Sequence, residues 1–347
     1  IFKVIWSKSK QCYIVVSEIA KNKTGKKKIV VASILAALAM AGSMQSVDAT
    51  IPEGAATGTA TFAIGQQSDA NGAFGFAIGN NAKFNSGTLG FAIGVNSEAT
   101  SNQSIAIGYL SKAAGRNIGG GGDPALAVGA GANATAGGAT AIGMVANASN
   151  TFATAIGKSA AASGDSSIAI GQNTKATQEK AIAIGDASQA TIIGATALGR
   201  SSEATGSSAT ALGSLASATG TLATAVGMQA SASGNESLAI GTTASATSGR
   251  ALAVGTNAKA TGASSVAVGS GAGGSGPRGF ASSINSSGAV VNTNKTINYA
   301  TIAEGDNAVA LGYYANAKNS GVAVGQNALA ATGGVAIGKG VFEDTNN

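Results

Sequence analysis

Large and small side chains alternate along most of this chain with a period of two, and the alternating pattern itself returns every 14 residues. The recurring unit is Ala-(Ile/Leu/Val)-Gly, present eighteen times, with its glycine at Gly65, Gly79, Gly94, Gly108, Gly129, Gly143, Gly157, Gly171, Gly185, Gly199, Gly213, Gly227, Gly241, Gly255, Gly269, Gly312, Gly325 and Gly338. From Gly129 to Gly269 every interval is 14; the others include one of 15 before Gly94, one of 21 before Gly129, one of 43 before Gly312 and two of 13 at the end. Self-similarity at a fixed short period marks a repeat architecture.

One position before the repeat glycine stands Ile, Leu or Val in every copy, and three before it an apolar residue or Thr, as in Phe62, Ile105, Leu126, Ile168, Thr196, Leu252 and Val322. Residues two apart on a strand share a face, so the alanine between them points to the other side. Three positions after the glycine comes Ala, Ser or Thr in seventeen copies, with Val341 the exception. Five after comes Ala in all but Phe84, Gly274 and Glu343. These small residues flank a solvent-tolerant slot holding Asp69, Glu98, Lys112, Lys175, Glu203 and Lys259. Each repeat therefore predicts two short strands joined at a glycine. No 3.6-residue spacing supports a helix, and Gly, Thr, Ser and Val weaken one. The expected fold is all-β, a parallel β-solenoid of one turn per 14 residues, and eighteen turns at about 4.8 Å make a rod of roughly 85 Å.

The larger residues are expected inside, with Ile170, Ile184, Leu198 and Leu212 in one stacked core column. Ala169, Ala183, Ala197 and Ala211 would then line a smooth outer strip that lets sister chains approach. The pattern leaves equally open that the alanines save space inside a tight turn. Thr140, Thr154, Thr196, Thr210 and Thr224 alternate like the apolar core position and are expected inward, which argues against an ice-binding ladder. Burying a Val or Ile yields roughly 1.5–3 kcal/mol, while ordering each backbone residue costs about 1–2 kcal/mol. So thin a core predicts an oligomer.

Composition removes most chemistry. The 347 residues contain 52 Gly, one Cys, no His and 10% charged side chains. Ser–His–Asp, Cys–His and HExxH sites all lack a member, and no His/Cys metal site or disulfide framework can form within one chain; no cofactor is expected. Gly157-Lys158-Ser159 imitates the end of a P-loop, but Phe152 stands where its first glycine belongs. A calcium-binding roll has only one near match, at residues 119–123. The net charge of +6 sits in residues 1–49, where eight lysines face Glu18 and Asp48; from Thr50 onward thirteen Lys/Arg balance thirteen Asp/Glu. A neutral body with no cationic cluster predicts no nucleic-acid partner.

Lys26, Lys27 and Lys28 precede an uncharged run at residues 29–41, IVVASILAALAMA, and then GSMQSVDA. This reads as a short helical signal segment cleaved after Ala49; its 13 residues fall short of the roughly 20 that span a bilayer. Residues 1–28, with IFKVIW at the start and YIVVSEIAKN in the middle, resemble the extended signal peptide region of large bacterial autotransporters. The resemblance implies export by the Sec machinery.

Turns such as NQSIAIGYLS (residues 102–111), SSVAVGSGA (264–272) and NAVALGYYA (307–315) resemble the head repeats of YadA-like trimeric autotransporter adhesins, over residues 60–342. That resemblance implies a left-handed parallel β-roll, a homotrimer, display on the bacterial surface, and adhesion to host extracellular matrix proteins, collagen among them, or to cell-surface receptors. Its collagen-associated pattern is nearest at residues 103–111 and 307–315, so Ser104, Tyr109, Ser111, Asn307, Tyr313 and Tyr314 become candidate ligand contacts. The expected organisation is an extended signal peptide at 1–49, a leader at 50–61, head repeats at 62–270, an insertion at 271–306 and further repeats at 307–347. The family's neck, heptad stalk and β-barrel anchor find no counterpart. Two insertions break the rhythm: RNIGGGGDP at residues 116–124, read as a surface loop, and 271–306, read as a hairpin that Val290, Val291, Ile297 and Tyr299 would help to pack. The leading functional reading is a non-catalytic adhesin head. A structural spacer or self-association rod comes second, and a β-solenoid enzyme third, because the carboxylates are scattered.

Overall fold

The structure is a computed structural model describing residues 2–7, 12–17, 55–56, 61–85, 87–115, 124–271, 281–284, 290–293 and 300–343. The chain forms two units, Ile1–Ile51 and Pro52–Asn347. In the first, Phe2–Ser7 pairs antiparallel with Cys12–Ser17. The N-terminal segment is thus β where it is described, not helical: FKVIWS and CYIVVS are rich in the β-branched and aromatic residues that favour strands. The apolar run and the cleavage position lie outside the described residues.

The second unit is the solenoid. Eighteen three-residue strands, from Phe62–Ile64 to Val335–Ile337, stack as one parallel ladder. Each turn also gives a two-residue strand to a second parallel ladder, running from Ala55–Ala56 to Phe342–Glu343. The register is strictly that of the repeat: Ile168 lies beside Ile182, Ala169 beside Ala183 and Ile170 beside Ile184.

Two corners join the strands of each turn. The first begins at the repeat glycine; Gly185 has φ +127°, and a Cβ there would lie 2.5 Å from the carbonyl oxygen of Gly199 on the next turn. Left-handed backbone and turn-to-turn stacking both exclude a side chain. Two residues later the backbone is again left-handed, as at Asn173 (φ 54°), and the second corner has a matching residue nine after the glycine, as at Ser166 (φ 53°).

The three-residue strands face opposite to the expectation, whereas the two-residue strands turn their charged slot outward as expected. Ala169, Ala183, Ala197 and Ala211 are fully buried inside the coil, together with the residues four before, three after and five after the glycine in the turns between the two ends, such as Ala181, Ser188 and Ala190. Ile170 and Ile184 are only half-buried, and Leu198 and Leu212 are each 40% exposed on the outer side. The alanines save space and form no outer strip. Short corners hold the two sheets so close that a methyl or hydroxymethyl group fills the gap, and serines at the inner positions donate locally, as Ser167 Oγ does to Gly164 O at 2.7 Å.

The exceptions show the same limit. Phe84 occupies an inner alanine position and is fully buried. Its ring fits because residues 72, 75 and 90 are glycine; a Cβ on Gly75 or Gly90 would lie 1.9 Å from it. Glu343 also points inward, and Gly334 makes the room.

The long interval before Gly312 arises from an excursion at the first corner. Ile302–Ala303 pairs directly with Lys259–Ala260. Residues 301–306 therefore belong to the rod, not to the insertion, and the inner position assigned to Gly274 is filled by Ala303, an alanine like its neighbours. Within the excursion Ala281–Ile284 and Val290–Thr293 pair antiparallel, as the alternation suggested; Ile297 and Tyr299 lie outside the described residues. The other changes of repeat length, both the longer and the shorter intervals, fall at the second corner and leave both ladders continuous.

Candidate interaction surfaces of the coil

The outer face of the three-residue sheet carries apolar side chains along its whole length, interrupted only by five threonines. Both of its outward columns, one and three positions before the glycine, escape burial at every turn. Ile107 is 38% exposed, Ile240 37% and Ile337 66%. In the first three turns the column holds Phe62, Phe76 and Phe91, the last two stacked at 5.0 Å between ring centroids. Thr140, Thr154, Thr196, Thr210 and Thr224 also stand on this face, pointing outward rather than inward. Exposed apolar strips of this length are characteristic of surfaces at which proteins interact.

The outer face of the two-residue sheet is polar except at Ala161, Ile302, Leu329 and Phe342. Asp69, Lys83, Glu98 and Lys112 stand in successive turns with alternating charge, and Lys112 Nζ lies 3.2 Å from Glu98 Oε2. Asn133 donates to Asn147 Oδ1 at 3.1 Å. Beside them runs a column with a hydroxyl at every turn from Thr135 to Thr261, in which Thr177 Oγ1 donates to the carbonyl of Thr191. At the second corner Lys180 lies 2.7 Å from Glu179; their hydrogen bond holds that carboxyl below and that amine above their usual ranges. Among the described residues no three His, Cys, Asp or Glu side chains gather as a metal site would need.

The corners carry side chains that strand periodicity does not reveal. Tyr109 is 57% exposed, and Leu110, Met144 and Val145 share its edge. On the opposite edge Phe152 lies over Gly138, where a Cβ would come within 2.3 Å of the ring. A large residue one or two positions after the repeat glycine is the signal in the sequence that could have found the first group.

The candidate ligand contacts divide. Ser104 and Ser111 are fully buried and donate to Ser101 O and Gly108 O at 2.6 and 2.9 Å, so neither can touch a ligand. Their positions are inner ones, fixed by the same narrow gap. Tyr109, Tyr313 and Tyr314 lie on the first corner and Asn307 on the second. Tyr313 Oη and Tyr314 Oη are hydrogen-bonded at 2.8 Å. Twelve turns separate Tyr109 from the tyrosine pair, about 58 Å at the spacing of stacked strands, so these residues form no single pocket.

The YadA head domain repeat model matches residues 56–82, 86–111, 121–146, 162–188, 176–202, 190–216, 218–244, 246–272, 299–315 and 303–328. The chain belongs to the YadA-like trimeric autotransporter adhesins. Residues 1–46 match the extended signal peptide of the type V secretion system, which accounts for the long basic N-terminus and directs a YadA-like chain to the bacterial cell surface. No curated protein matches the chain. Repeats and solenoid together fit a structural, adhesive protein.

Proposed function

We propose that this chain is the head region of a homotrimeric adhesin that attaches bacteria to host extracellular matrix or cell surfaces without catalysis. The observation that carries the proposal is the division of most turns into an apolar and a polar outer face. Three coils packed side by side on their apolar faces would cover the exposed Ile, Leu, Val and Phe residues and leave three polar faces and the corners to the outside. Contacts repeated over the turns and multiplied by three chains supply avidity that no single turn needs to provide. Tyr109, Asn307, Tyr313 and Tyr314 remain the ligand-contact candidates, and collagen remains one matrix protein among those to test.

Self-association between heads is the second reading, favoured by the exposed corner group of Tyr109, Leu110, Met144 and Val145. Residues 50–347 fused to a trimeric coiled coil, screened against matrix proteins and cells, test both. Binding to a matrix protein or cell supports the first. Trimers that bind neither but aggregate bacteria support the second.

A further inference from the structure

A rod of near-identical turns faces a problem when copies associate: sliding one copy by a turn replaces each contact with an almost equivalent one. The column one before the glycine cannot prevent this, because all eighteen residues are Ile, Leu or Val. The column three before the glycine differs. It runs in blocks that are contiguous in space, since neighbours in the column are strand partners. Phe62, Phe76 and Phe91 form an aromatic block. After two aliphatic turns Thr140 stacks on Thr154. Two isoleucines follow, and then Thr196, Thr210 and Thr224 form a second hydroxyl block. All remaining turns are aliphatic.

Resting on the trimer reading above, we propose that this block pattern is a register code, which selects as partners only copies of this chain aligned turn for turn. In register, phenylalanines face phenylalanines, and threonines meet threonines that can accept and donate their hydrogen bonds. A slip of one turn places a threonine in a layer with aliphatic residues at both ends of each hydroxyl block, leaving its hydroxyl without a partner in an apolar seam. Isolated polar layers that fix alignment at some cost in stability act in the same way in coiled coils. A head whose blocks fall at other turns would be excluded as a partner for the same reason.

The test uses the full chain with Cys12→Ser, in two versions carrying Ile184→Cys or Leu198→Cys, which lie on adjacent turns of the uniform column. The two are refolded together and oxidised, and disulfides between like and unlike positions are counted by mass spectrometry. Expected is at least a tenfold excess of like over unlike pairs. Converting all five threonines together with Phe62, Phe76 and Phe91 to Leu, a residue already present in the column at Leu126 and Leu238, should raise unlike pairs to near parity while light scattering still gives a trimer. A second variant, Ile182→Thr with Thr224→Leu, moves one block by a turn without changing its length and should not co-assemble with the native chain. Equal like and unlike pairs in the native trimer, a retained excess in the leucine variant, or free mixing with the moved-block chain would each overturn the code while leaving the trimer reading standing. A monomer would overturn both.

Discussion

At the scale of single residues, the narrow gap between the sheets decides what each substitution does. Ala183→Arg would force a cation into a space filled by a methyl group, and burying an unpaired charge costs several kcal/mol. Its neighbour Ile184 points outward. Ala183→Arg is therefore expected to lose β-signal in circular dichroism and melt far below the native chain, whereas Ile184→Asp keeps its β-signal but sediments as a smaller species. The reverse pattern would contradict the facing seen here. Around Phe84, Phe84→Ala should cost about 3–5 kcal/mol by leaving a cavity. Gly90→Ala should cost about 1–3 kcal/mol by overpacking. The double variant should lose less than the sum, because the added methyl no longer meets the ring; urea titration of all three closes this cycle.

Among these residue-level features, alternation revealed which side chains share a face but not which face is inside. Hydrophobicity placed Ile184 within, and volume places Ala183 there. The turn length held the missing clue, since two strands of two or three residues closed by short corners enclose little more than methyl groups. The glycines at 75 and 90 are likewise visible in the sequence, yet their meaning appears only once the ring of Phe84 is seen to point at them. Ser104 and Ser111 entered as contacts through a family pattern, which marks the turn that carries a motif and not which of its side chains face outward.

At the scale of the turn, each coil touches only its two neighbours, so whole turns are exchangeable units. Deleting residues 186–199 removes one period and should leave a cooperative, β-rich fold. Deleting residues 186–192, half a period, would exchange inner and outer positions downstream and is expected to give an aggregating or partly unfolded chain in the same dichroism and light-scattering assays. Removing residues 272–300 restores a 14-residue spacing between Gly269 and Gly312, and the melting temperature should stay within a few degrees of native. The strand pairing and the number of turns were legible in the spacing alone. The return point of the excursion was not, because counting forward from Gly269 assigns Gly274 to a place that Ala303 fills.

At the scale of the whole molecule, the neutral body makes long-range attraction a minor part of attachment. Raising salt from 0.05 to 0.5 M is expected to weaken binding of the trimeric head to its matrix or cell target less than about threefold, because screening acts mainly on unpaired like-signed charge. Surface-based binding assays over a salt series would check this, and a steep decline would instead point to a cationic or anionic receptor patch.

The hydrogen bonds of both ladders run parallel to the line along which turns stack, as when Gly185 N–H donates to Ile170 O at 2.8 Å and Lys175 N–H to Ser188 O at 2.9 Å. A pull applied along that line loads a few bonds of one turn at a time, because nothing in the next turn shares the strain until the first has opened. The rod is thereby a mechanical fuse with graded yield: each released turn adds 14 residues of slack, about 45 Å net of the coil spacing. In force spectroscopy a head stretched end to end should show a train of small, evenly spaced extensions at low force, where a shear-loaded domain would show one large rupture. Such yielding would dissipate a sudden tug before it reached whatever the head was holding.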